Sequence, residues 1–146
     1  MAVPTGSGTE TLHAHGFDDV DGSQTLIFGV QHHVYTVLSI VICVGALNAT
    51  TDYFYLNFHG HDGHAGTSAA TWRIQRGNPQ VGETFVWNDK FSFNGVEPSG
   101  TNVLSASEQI AIAGQTGSAV QELQFDCTHA GDSFDIMCTY LDQDWT

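Results

Sequence analysis

Basic residues are almost missing from this 146-residue chain: Arg73, Arg76 and Lys90 stand against sixteen acidic residues, a formal net charge of −13 at pH 7. That balance argues against nucleic acid as a partner, because affinity for phosphates comes from neutralising them with Lys and Arg. An anionic membrane surface is disfavoured for the same reason. All three cations fall between positions 73 and 90, so any positive potential is local. They mark either a docking spot for an acidic partner or an ordinary surface distribution.

Other absences narrow the field further. The longest apolar stretch, VYTVLSIVICVGAL from Val34 to Leu47, has fourteen residues. A membrane-spanning helix needs about 20, so no membrane anchor is expected. The opening MAVPTGSGTETLHAHG has no basic residue followed by an apolar run and does not read as a secretory signal. Cys43, Cys127 and Cys138 are odd in number and each sits in an apolar segment, which reads as buried thiols in a reducing compartment. A Cys127–Cys138 disulfide would require neighbouring strands, and a simple hairpin folded at 129–132 would not set them opposite each other.

Catalytic signatures are missing too. There is no Gly-x-Ser-x-Gly elbow, no Gly-x-x-x-x-Gly-Lys and no Gly-x-Gly-x-x-Gly. DDVDG, residues 18–22, lacks the one-three-five alternation and distant glutamate of a helix-loop-helix calcium site, and reads as an acidic turn. The expectation is a protein that is not an enzyme and needs no cofactor.

No sustained helical period occurs; apolar and polar residues alternate with a period of two in run after run. HVYTVLSIVIC carries apolar residues on both faces, expected in a strand buried in the core and also under a partner or another element. TDYFYLNFH points Phe54, Leu56 and Phe58 inward and Tyr53, Tyr55, Asn57 and His59 outward. The period recurs in AATWRIQR, GETFVW, KFSFNG, EQIAIAG, VQELQFDCT and DSFDIMCTYLD, with Gly- and Asn-rich turns between. The chain length suits one domain. The predicted fold is all-β, an antiparallel β-sandwich (jelly-roll or Ig-like) of about eight strands. Residues 1–24, rich in Thr, Gly, Ser, Asp and His, read as an extended N-terminal arm ordered by neighbouring chains, with the sandwich over 25–146.

Two groups of residues are candidates for a site. In HGHDGHAG, residues 59–66, His59 and His61 share a face if the strand persists, with His64 or Asp62 as a third donor. HAH at 13–15 repeats the spacing. A solvated loop, a structural metal and a metal shared around a threefold axis all fit; a catalytic zinc would lack an evident general base, Glu83 and Glu108 being arbitrary choices. The second group is aromatic. Tyr53 and Tyr55, with Trp72 and Trp87, suit a sugar platform or a protein interface, core packing being the plainer reading of the two tryptophans. Trp145, between aspartates at the chain end, is expected to insert into its own subunit or the next.

In the order of its features the chain resembles the small β-sandwich structural proteins of tailed-bacteriophage virions. The similarity runs through VYTVLSIVICVGALNATTDYFYLNF, NPQVGETFVWNDKFSF, LSASEQIAI and the closing TYLDQDW, about residues 26 to 145. The resemblance implies a non-enzymatic virion protein, a capsid decoration or cement protein or a tail or head–tail connector component. It would be made in the host cytoplasm and bind copies of itself and the major capsid protein or other virion proteins. The resemblance supplies no catalytic residues, and the histidine loop and N-terminal arm are additions to it. A carbohydrate-binding module and a histidine–metal enzyme remain the competing classes.

Overall fold

A computed structural model describes residues 9–62, 67–96 and 120–144. Nine strands lie within them: β1 (Glu10–Val20), β2 (Gln24–Phe28), β3 (His33–Ala46), β4 (Phe54–Asp62), β5 (Thr67–Gly77), β6 (Thr84–Trp87), β7 (Phe91–Asn94), β8 (Glu122–Cys127) and β9 (Ser133–Asp144). Among the described residues no helix is long and apolar enough to cross a membrane. EQIAIAG, read as a strand, and Trp145 lie outside the described residues.

All pairings among the described residues are antiparallel. One sheet runs β1-β9-β3-β6, with β7 also on β3; the other runs β2-β8-β4-β5. Because β6 and β7 take the two halves of one edge of β3, they act as a single broken strand, and the order becomes that of a jelly roll, two Greek keys wound together. The fold is therefore the β-sandwich that the alternating pattern predicts.

Strand parity sets which residues meet between the sheets. β3 pairs Val37 with Tyr140 and Ser39 with Thr139, leaving Leu38 as a bulge. An extra residue reverses the faces. Tyr35 and Val37 thereby join Ile40, Ile42 and Val44 in the core, instead of lying opposite Ile40 and Ile42 as unbroken alternation predicts. Phe54, Phe125 and Phe134 close the middle of the core, with ring centroids 5.1 to 6.0 Å apart. At one end two glycines let segments touch: a Cβ on Gly29 or Gly95 would stand 2.0 Å from a carbonyl oxygen of the other segment.

The N-terminal lead-in departs from expectation. Residues 10–20 are not an arm waiting for another chain; they pair along β9 from Glu10↔Gln143 to Val20↔Phe134. The face of β1 that turns toward the core side holds His13 and Phe17, half-buried, and His15, exposed, instead of aliphatic residues, which hid the strand from a hydrophobic-period reading. His13 stacks on Tyr140 at 5.0 Å. The register breaks at Asp18 and Asp19, where Asp19 takes a positive φ of 53° that Asp tolerates better than most residues. Asp19 Oδ1 accepts from Ser133 Oγ at 2.7 Å.

The three cysteines are free. Cys127 and Cys138 flank the same turn, yet β8 and β9 belong to different sheets. Burial raises the thiol of Cys138 to about 12 and that of Cys127 to about 11, so both stay protonated and poorly nucleophilic at neutral pH.

Candidate interaction surfaces

The outer face of the four-stranded sheet gathers residues that the sequence presented as separate hints. Tyr53, just before β4, and Tyr55, within it, point outward, and their rings stack at 6.5 Å with a 20° tilt. From the edge strand β5, Arg76 lays its guanidinium 3.8 Å above the Tyr53 ring and Arg73 lies 3.9 Å above Tyr55. Each contact is worth roughly 0.5–2 kcal/mol and holds the planar fork in place. The register sets three cross-strand rows: Arg76–Tyr55–Asp126, Arg73–Asn57–Gln124 and Thr71–His59–Glu122. Basic residues line one side of β4 and acidic residues the other.

His59 is part of this face. Its Nε2 lies 2.6 Å from Gln124 Oε1 and its Nδ1 lies 3.0 Å from Thr71 Oγ1. With the amide oxygen as acceptor, Nε2 carries the proton and Nδ1 accepts from the threonine hydroxyl. Both nitrogens are engaged in bridging three strands. His61 lies in β4, but its side chain and His64 fall outside the described residues. Among the described residues no group of three or more His, Cys, Asp or Glu is placed to hold a metal ion. Lys90 does not join the two arginines: it is exposed in the turn between β6 and β7, on the other sheet. Trp87 packs partly against the core, its Nε1 donating to Asp89 O at 2.9 Å. Trp72 is 49% exposed and stacks on Phe58 at the mouth of an apolar groove of about 420 Å³.

The outer face of the five-stranded sheet is different in kind. Gly16, Met137, Val41 and Val86 form one cross-strand row over β1, β9, β3 and β6. Met137 is 51% and Val86 59% exposed. Because Gly16 has no side chain and a Cβ there would meet nothing within 4 Å, a shallow groove of about 280 Å³ opens beside Met137. The second apolar face expected of β3 is thus present in Val41 and Cys43, though bulge parity and not simple alternation places them there.

Two clusters of titratable groups sit at the ends of the sandwich. His33 Nδ1 lies 2.7 Å from Asp142 Oδ1, and His13 Nε2 lies 3.7 Å from Asp142 Oδ2. Tyr35, beside them, has its phenol held well above the ordinary range by burial and then by the Asp142 carboxylate; its oxygen accepts from Val30 N at 3.1 Å. At the opposite end Asp132 is buried, with Oδ1 accepting from Asn48 N at 2.9 Å. Asp52 Oδ2 accepts from Ala49 N at 2.7 Å. Burial and the neighbouring Asp52 carboxylate raise the Asp132 pKa against the lowering effect of the Asn48 N–H. Sequence reasoning missed this pair because ALNATTD and HAGD read as solvated turns. The one usable signal was that each Asp sits where its carboxylate can accept turn N–H groups.

Compared with protein families and with curated proteins, the chain matches none.

Proposed function

We propose that the chain is a non-enzymatic structural protein of a tailed-phage virion, acting as a capsid decoration or cement protein that binds its neighbours through sheet surfaces. The observation that carries this reading is the apolar row Met137–Val41–Val86 with its hollow at Gly16, on the outside of a chain that is otherwise strongly acidic. A row of exposed apolar residues beside a hollow, rimmed by Asp18 and Asp135, is the pattern of a contact site for a partner. Neither competing class draws comparable support. A sugar platform needs open ring faces, whereas Arg76 and Arg73 stack on Tyr53 and Tyr55. Of the three histidines of a histidine–metal site, His59 has both ring nitrogens taken, and the side chains of His61 and His64 lie outside the described residues.

In this reading the five-stranded sheet docks on the major capsid protein or another virion protein, and the acidic remainder keeps free subunits soluble and apart. Quantitative mass spectrometry of purified virions tests it. Wild-type chain is expected on particles in high copy, and Met137→Asp chain is expected to be left behind. Recovery only in small multiples of three or six would move it to the tail or connector. Absence from particles, together with a monomer whose glycan affinity is lost in Tyr55→Ala, would overturn the reading.

A further inference from the structure

We infer that the outer face of the four-stranded sheet is a self-complementary surface on which two copies of the chain pair about a twofold axis parallel to β4. The inference stands on that face alone and does not rest on the virion reading.

Charge placement carries it. The three rows hold Arg73 and Arg76 on β5 and Glu122 and Asp126 on β8, two charges of each sign, so the whole net charge of −13 lies elsewhere on the molecule. Among the described residues these three rows are neutral on a strongly acidic chain, so a second copy can approach here with less repulsion than over acidic surface. The signs are also separated. Strands in a sheet lie about 4.8 Å apart, so β5 and β8 flank β4 at equal distances on opposite sides. A twofold axis along β4 between two such faces brings β5 of each copy over β8 of the other. Arg76 then faces Asp126 of the second copy, twice, and Tyr55 lies near the axis against its own counterpart. That is the reciprocal contact pattern of an isologous dimer.

The side chains are prepared for it. Both guanidiniums are fixed on tyrosine rings, which lowers the entropy lost on pairing. Asp126 is oriented through Oδ1, which accepts from Cys127 N at 2.9 Å and Ser23 Oγ at 3.1 Å. Tyr and Arg are also the residue types that dominate binding energy at protein interfaces.

The test is sedimentation velocity on the full chain. Wild type is expected to show a concentration-dependent dimer that weakens by about tenfold between about 0.05 M and about 0.5 M salt. Arg76→Glu and Asp126→Lys, each alone, set like charges opposite each other at both contacts and are expected to be monomeric over the range in which wild type dimerises. Mixed together they restore both contacts, Glu with Lys and Arg with Asp, and the dimer returns. Asp126→Asn keeps the Oδ1 acceptor and gives a readout that does not depend on Asp126→Lys folding; it is expected to weaken the dimer several-fold. The inference is overturned if wild type is monomeric throughout, if Arg76→Glu dimerises like wild type, or if the mixture of two folded variants remains monomeric.

Discussion

The two outer faces of this sandwich rest on one core and differ in the forces they offer. The five-stranded sheet shows a row of Met137, Val41 and Val86 with an empty place at Gly16. The four-stranded sheet shows arginines stacked on tyrosines across from acidic residues. One surface gains by leaving water and is insensitive to salt; the other gains by matching charge and is screened by it. On the two proposals above these faces give two separable contacts, so that association of one kind need not compete with the other.

Several changes would break or sharpen that contrast. The largest lies beneath both faces. Phe54→Ala empties the middle of the Phe54–Phe125–Phe134 cluster and is expected to cost about 3–5 kcal/mol in urea unfolding, removing both surfaces together. Next, Met137→Asp puts a charge in the apolar row; particle binding should weaken by on the order of 2–3 kcal/mol while the salt-sensitive self-association is unchanged. If both fall together, the faces are not independent.

Smaller is Asp132→Asn, which bears on the shared scaffold. The folded-state pKa of Asp132 is raised, so the fold favours its protonated form. That contribution is complete below the ordinary value of 3.8 and is lost as pH rises through the folded value. The asparagine keeps the oxygen that accepts from Asn48 N and removes the charge beside Asp52. It is expected to stabilise the protein by about 1 kcal/mol at neutral pH and by nothing near pH 3, as thermal melts across that range would record. Smallest is Tyr55→Phe, which keeps the ring under Arg73 and should change stability by less than about 0.5 kcal/mol, whereas Tyr55→Ala should cost about 1 kcal/mol through the lost cation–π contact.

How much of this was legible in the sequence follows from the range over which each feature is set. Period-two alternation located β4 to β9 and the two-faced apolar run HVYTVLSIVIC located β3, because inward aliphatic and aromatic residues mark a strand locally. β1 escaped, since an edge strand can set the rings of His13 and His15 beside Tyr140 in place of aliphatic residues and still pair. Which apolar residues of β3 face the core was not readable, because the bulge at Leu38 reverses the faces and leaves no local mark in an unbroken apolar run. For the sites, the outward direction of Tyr53 and Tyr55 was readable from alternation. That Arg76 and Arg73 would stack on those rings was not, because cross-strand register depends on the pairing of segments about twenty residues apart. The shared-carboxylate end was hidden for the same reason: Asp52 and Asp132 meet only after the whole sandwich closes.

Oxidation of Met137 tests the central claim most directly. The chain contains two methionines, Met1 and Met137, so a peptide bearing Met137 sulfoxide reports on one face alone. In the free chain, half-exposed Met137 should react readily with dilute peroxide; in the assembled particle it should be strongly protected, with Tyr53 and Tyr55 footprints changing only where the chain also dimerises. Equal rates of Met137 oxidation in free and assembled chain would contradict the assignment of the five-stranded sheet as the docking face.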